Sequence, residues 1–224
     1  MAAGRLIIGS KRYSSWSLRG WLAVHLAGLE VEEVVIRLAG GATPEVKKQT
    51  PAGFVPYLEH DGARVWDSLA ICEYCAEIAP GLWPRDRVRR AALRSASAEM
   101  HSGFRALRQT YPTIMGGIAS PAARDAVANA DASSDIARIV ALWDELLSAS
   151  GGPFLHGQAM GVADAMFAPV ATRFRTWAIE VPEKAEAYVT AIHGHPLVKR
   201  WFAEAAAEPA EWRIEAHEAK LSGA

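Results

Sequence analysis

The chain has 224 residues, half of them hydrophobic and 22% charged, the make-up of one large domain or two small ones around a sizeable apolar core. That excludes a disordered chain, whose apolar surface would not offset its conformational entropy. The formal net charge of −1, from 24 basic and 25 acidic residues, excludes the basic footprint of a nucleic-acid binder. No apolar stretch approaches a membrane span, and the first residues lack the basic start and long apolar run of a signal peptide. Two cysteines do not make a disulfide scaffold, so a reducing cytoplasm is the expected setting.

Leu6-Ile7-Ile8 reads as a short buried strand ending at Gly9. After a polar stretch, apolar residues at 18, 21, 22, 26 and 29 trace one face of a helix, with Gly28 near its end. Val31 to Leu38 is rich in β-branched residues and predicts a second strand. Gly40-Gly41 and Pro44 make the next segment irregular. Tyr57 to His60, Asp61-Gly62 and Ala63 to Trp66 form a hairpin signal. Ser68 to Ala79 carries a helical face, stopped by Pro80-Gly81. Beyond Pro84 no strand pattern appears. Long helices are predicted over 86–109 and 121–149, a buried one over 162–177, shorter ones from Pro182 and Pro196, and a loosely wrapped tail after Pro209.

Chemistry concentrates at three places. Tyr13-Ser14-Ser15-Trp16-Ser17 lies between the first strand and helix, where unpaired N–H groups and the helix dipole favour an anion. A hydroxyl there can donate to a thiolate and lower its pKa, or simply cap the helix. Val55-Pro56 precedes the third strand. A cis bond there would turn the Val55 backbone outward toward an extended ligand, although trans is the default. Asp67-Ser68 opens the next helix, with Ser68 as its natural cap. The pair matches the carboxylate and ammonium of an α-amino acid, or two ordinary capping residues.

Other motifs read as structural. Cys72 and Cys75 have redox-pair spacing but fall inside a helix on its apolar face, which indicates core packing. The seven histidines show no metal-ligand spacing, and no phosphate-binding glycine loop occurs. Asp164, three residues into the buried helix opened by Gly161, forms half of a capping box.

Taken together, the order and spacing of Ser14-Ser15, Val55-Pro56 and Asp67-Ser68 resemble the soluble glutathione transferase superfamily, over nearly the whole chain. The resemblance implies an α/β thioredoxin-like glutathione-binding domain over 1–81, a linker over 82–88 and an all-α C-terminal domain over 89–224. It implies glutathione as co-substrate, with no metal, and a hydrophobic electrophile as second substrate. It also implies a cytoplasmic homodimer that binds neither nucleic acid nor membrane. Ser14-Ser15-Trp16-Ser17 is similar to the Ser-Ser-Cys-Ser motif of the zeta class, which includes maleylacetoacetate isomerases. By that match Ser14 is the catalytic, thiol-activating hydroxyl and Ser15 stands beside it as a binding residue, mainly a cap. Val55 and Pro56 present the backbone to the cysteinyl part, and Asp67 and Ser68 hold the γ-glutamyl end.

Trp16 replaces the motif's cysteine, Tyr13 offers a rival hydroxyl, and Gly161 stands where the family's capping box has Ser or Thr. The expected activity is glutathione transfer, with a glutathione-dependent cis–trans isomerase or a non-catalytic binding module as alternatives. The second-substrate pocket is expected between the first helix and the long helix from Asp86, where Phe104, Arg108 and Tyr111 are candidates to line it.

Overall fold

The computed structural model describes residues 4–222. β1 (Gly4–Gly9), α1 (Ser15–Leu26) and β2 (Val31–Ile36) form the expected opening unit, and β3 (Tyr57–His60), β4 (Ala63–Trp66) and α3 (Ser68–Ile78) close the α/β domain. The sheet runs in the order β2-β1-β3-β4. β1 pairs parallel with β2 and antiparallel with β3, which in turn pairs antiparallel with β4. The hairpin turn has positive φ at both Asp61 (48°) and Gly62 (78°), the conformation that Asp-Gly tolerates best.

Residues 44–49 are not irregular. They form a short helix, α2 (Pro44–Gln49), whose proline occupies the first turn, where its missing N–H costs nothing.

A 3₁₀ turn (Pro80–Leu82) leads to α4 (Arg87–Ser102), which starts inside the segment expected as linker and is capped by Asp86. The predicted helix over 86–109 is two: α4 ends at Gly103 and α5 (Arg105–Thr110) follows. Phe104 between them is left-handed, at φ 55°. A Cβ at Gly103 would stand 2.7 Å from the Glu99 carbonyl oxygen, so the sharp exit needs glycine. The helix over 121–149 is likewise two, α6 (Pro121–Val127) and α7 (Ala130–Ser150), because Asn129 caps a fresh start by accepting from Ala132 N at 2.9 Å. α8 (Val162–Thr176), α9 (Glu183–Gly194) and α10 (Pro196–Ala206) follow as expected.

The tail is not loose. Residues 210–212 form a 3₁₀ turn, and α11 (Glu215–Ser222) packs back onto the start of α6, its Leu221 carbonyl accepting from Ser120 N. Among the described residues, no strand lies beyond β4 and no helix is long and apolar enough to cross a membrane.

α8 is the central element, buried along almost its whole length. It touches α1 and α3 of the first domain and α4 and α9 of its own, so a single apolar cluster runs through both domains. Its start is fixed by Asp164, wholly buried, which accepts from the backbone of Gly161, Leu155 and His156 and from the Tyr188 hydroxyl. Burial pushes this carboxyl up to about 6 against the pull of those donors. Gly161 has no room for a serine: a Cβ there would lie 2.6 Å from the His156 ring and 2.8 Å from the Leu82 carbonyl oxygen. Cys72 and Cys75 are free and buried, their thiols pushed up by desolvation.

Candidate active site

A cleft of about 500 Å³ opens where the first turn of α1, the loop before β3 and the start of α3 meet; Trp16, Phe54, Val55, Pro56, Asp67 and Ser68 line it. Four of the six residues singled out from the sequence therefore share one cavity. Ser14 and Ser15 do not line it; they stand immediately before Trp16, 5% and 8% exposed. The Val55-Pro56 bond is cis, and Val55 makes no backbone hydrogen bond among the described residues.

Both helix starts differ from expectation by one residue. Ser14, not Ser15, caps α1: its Oγ accepts from Ser17 N at 3.2 Å. Asp67, not Ser68, caps α3: its Oδ1 accepts from Leu69 N at 2.8 Å. An N-cap has extended or otherwise non-helical backbone, and these two residues have it, Asp67 at φ 74°. The following residue then sits at the first helical position with its hydroxyl released from capping. The Ser15 hydroxyl enters none of the side-chain hydrogen bonds of the α1 start, although its N–H donates to the Tyr13 carbonyl. The Ser68 Oγ is wholly buried and has no partner among the described residues, although Ser68 lines the cleft. An unsatisfied buried hydroxyl is costly unless a ligand completes it.

Ser14 is tied to Ser17. Their hydroxyls are 2.7 Å apart, and Ser17 Oγ also accepts from Gly9 N at 3.0 Å. The proton between two hydroxyls can lie on either oxygen. With Ser17 as donor, the Ser14 Oγ accepts from Ser17 twice and turns its own O–H outward. Tyr13 is not available as a rival. Its hydroxyl donates to Glu218 Oε1 at 2.5 Å and accepts from Ile214 N at 2.9 Å, and burial together with Glu218 raises its pKa.

At the cleft wall, Trp16 is approached by two guanidiniums, with Arg19 at 4.5 Å and Arg108 at 5.0 Å from its ring centre, and stands edge-on to His101 at 5.3 Å. Arg19 is wholly buried, with Nε and Nη1 unpartnered among the described residues. Burial, reinforced by Arg108 and Arg173, pulls it down to about 9. Arg108 thus faces α1 through the ring of Trp16, although it does not line the cleft. Tyr111 does not face α1: its ring packs against Trp177, 5.5 Å away, and it borders a separate pocket with Arg124, Ile136 and Val140. Phe104 is buried at the α4–α5 break.

Arg19, His101 and Ser17 were not singled out from the sequence. Arg19 carries a signal even so, as a charge set between Leu18 and Leu22 on an apolar helix face. Among the described residues no cluster suited to a metal ion occurs.

Comparison with known proteins agrees with this geometry. Residues 13–78 match the family model of the glutathione S-transferase N-terminal domain, and residues 121–204 that of the C-terminal domain. Glutathione S-transferase 1 of Dianthus caryophyllus is 31% identical over 69% of this chain and 70% of its own length. The maleylacetoacetate isomerase of Rattus norvegicus is 30% identical over 75% of this chain and 78% of its own. The theta class glutathione S-transferase of Xanthomonas axonopodis pv. citri, solved with glutathione bound, has the same fold at a TM-score of 0.65, with 22% identity over 90% of this chain and 98% of its own. A cleft at two helix starts, a cis-proline beside it, and family matches in both domains converge on one conclusion: the chain belongs to the glutathione S-transferase superfamily, with zeta-like character.

Proposed function

We propose that the chain binds glutathione in the cleft between α1 and α3, ionises its thiol, and directs the thiolate at a small electrophile. The observation that carries this reading is the pair of helix starts at one cavity, with the Ser68 hydroxyl buried there and unpartnered. Two helix N-termini offer positive potential to two anionic groups of one ligand, the γ-glutamyl carboxylate at α3 and the thiolate at α1. The free N–H and C=O of Val55 would pair with the extended backbone between them. Asp67 Oδ2, not used in capping, would accept from the ligand's ammonium.

Ser14 is the proposed donor to sulfur. When its O–H turns outward, Ser17 replaces it as donor within the pair, so no buried hydroxyl is left unmatched. Arg19 adds a fixed positive charge behind Trp16. Thiolate formation is thus an electrostatic effect of donors already in place. Attack on the electrophile forms the sulfur–carbon bond as the leaving group departs. The isomerase reading shares this first step and draws on the identity to maleylacetoacetate isomerases; there the thiolate adds to a double bond and is expelled after rotation.

The test is thiolate absorbance of the protein–glutathione complex against pH. Ser14→Ala should move the ionisation to higher pH, Ser15→Ala less, and Tyr13→Phe not at all. An unmoved titration in Ser14→Ala with a shift in Ser15→Ala transfers the role to Ser15. Retention on immobilised glutathione without turnover of any electrophile favours the binding module. A homodimer, in a cytoplasmic setting, is part of the same proposal: Phe54 and Trp66 at the cleft rim and Val88 on α4 are large, apolar and exposed, side chains a second copy would cover. Sedimentation equilibrium tests it.

A further inference from the structure

We propose that His101 is a positioning residue that holds the Asp67 carboxylate in the cleft and, once protonated, competes with the ammonium group of the ligand for it. The inference rests on the reading of Asp67 as the ammonium acceptor. Asp67 has two oxygens in different situations. Oδ1 is held by the N–H of Leu69 at the start of α3, while Oδ2 lies 3.3 Å from Nε2 of His101. His101 belongs to the last turn of α4, so this contact bridges the two domains at the mouth of the cleft.

The imidazole is fixed from several sides. Trp16 packs edge-on against it, and its own carbonyl accepts from Arg108 Nη2 at 3.1 Å. Nδ1 is buried and has no partner among the described residues. The charged groups that face it are Asp67 from the start of α3, Arg19 from α1 and Arg108 from α5. Burial lowers its pKa; Asp67 opposes that, and the two arginines add to it. A neutral ring with its proton on Nε2 satisfies this geometry. Its N–H then faces Oδ2 across 3.3 Å, out of hydrogen-bond alignment, and favours that position of the carboxylate by charge–dipole attraction, while a lone pair of that oxygen stays open for an ammonium.

Protonation changes the balance. An imidazolium at Oδ2 places a cation beside the position the ammonium must take, with two guanidiniums already near. Like charges sharing one carboxylate oxygen disfavour each other, so glutathione binding and proton binding at His101 oppose one another. By linkage, glutathione affinity must fall as pH drops through the His101 titration, at a limit of about ten-fold per pH unit for one proton. Between pH 7 and 5 the amino and carboxyl groups of glutathione titrate outside the range, and S-methylation of the ligand removes the thiol, whose ionisation in the cleft would add a slope of its own.

The experiment is calorimetric titration of the full chain with S-methylglutathione, which has no thiol to ionise, at half-unit steps from pH 7 to 5. The parent, His101→Gln and His101→Phe are compared, each checked for a native circular dichroism spectrum at both ends. The parent should lose about three- to ten-fold in affinity over this range. His101→Gln keeps an amide donor that does not titrate, so its affinity should stay level with pH. His101→Phe should also be level but weaker than His101→Gln throughout, because Asp67 has lost its tether. The same S-methylated ligand without its amino group should bind the parent weakly and without the slope. A parent slope that persists in His101→Gln, or that persists with the deaminated ligand, overturns the proposal. A parent that binds no glutathione at any pH overturns the reading of the cleft, and the proposal with it.

Discussion

The two domains meet along two seams that each bury charged groups and are differently finished. At the back, the Lys11 ammonium sits between the rings of Trp21 and Trp201, at 5.2 and 5.1 Å, and pairs with Glu33 and Glu204. Glu33 is also met by His25 and Arg200. Trp201 Nε1 donates to the Lys11 carbonyl, and Glu208 accepts from the N–H groups of Lys11 and Arg12. At the front, Arg19, Ser68, His101 and Arg108 each keep a buried polar atom without a partner among the described residues. An orphaned group of this kind costs about 1–3 kcal/mol. The back seam, closed except for the indole N–H of Trp21, holds the domains together. The open seam keeps hydrogen-bonding capacity in reserve, and it surrounds the cleft. A polar network's degree of completion therefore separates architecture from site where burial alone does not.

The largest expected effect is at the back. Lys11→Met leaves the partly buried Glu33 and Glu204 carboxylates with Arg200 and His25 as their remaining partners, so the loss should be about 3 kcal/mol, the lower end for a broken buried pair. Urea unfolding reads it directly, and a loss under about 1 kcal/mol would show that the back seam is no tighter than a surface ion pair.

Glu33 gives the same seam a pH signature. Burial alone would raise its carboxyl, but hydrogen bonds from His25 and Lys11 prevail and hold it at about 2, against an ordinary 4.5. A depressed carboxyl stabilises the fold above its unfolded pKa, and that contribution disappears as pH falls from 4.5 through about 2. The amount is about 3 kcal/mol. Glu33→Gln should be less stable than the parent at pH 6, yet lose less between pH 6 and 3. Parallel unfolding curves for the two proteins would remove Glu33 from the acid response.

At the front the sign of the contrast reverses. Ser68→Ala removes an unsatisfied hydroxyl, so the unfolding midpoint should hold or rise slightly. Glutathione affinity should fall about ten-fold, the equivalent of one hydrogen bond. A clear loss of stability with affinity unaltered would place Ser68 in the closed class. The smallest effect separates two adjacent serines. Ser14→Ala should cost about 0.5–2 kcal/mol as a lost cap, and Ser15→Ala under about 0.5 kcal/mol. Equal melting temperatures for the two variants would remove that distinction.

Much of this was legible in the sequence, for identifiable reasons. Local signals carried far: Asp61-Gly62 marked its turn, and the apolar faces of α1, α3 and α8 were visible in their spacing. Val55-Pro56 and Asp67-Ser68 reached the same cleft. The misses share a different origin. Ser14 and Asp67 take the cap positions because their backbones are the non-helical ones, which a run of two capping-competent residues does not reveal. The break at Gly103-Phe104 depends on a left-handed phenylalanine, and periodicity continues across it. The helix at 44–49 is too short to show a period. His101 meets Asp67 only through the docking of α4 against α3, so no spacing along the chain could announce it. The order of the tail comes from contacts with residues two hundred positions earlier.

That last contact has a consequence for how the protein is made. Arg12 donates to Glu218 through Nε and Nη2, at 2.6 and 2.7 Å, and Tyr13 donates to the same carboxylate. The loop that presents Ser14 is therefore strapped by a side chain emerging some two hundred residues later in synthesis. A nascent chain halted before α11 would carry β1 and α1 with Arg12 and Tyr13 lacking their acceptor. Competence to bind the ligand should then appear late and abruptly during translation, on release of the final helix and not on completion of the first domain. Removal of α11 should reproduce that immature state in a purified protein, with the loop more open to protease at Lys11 and Arg12.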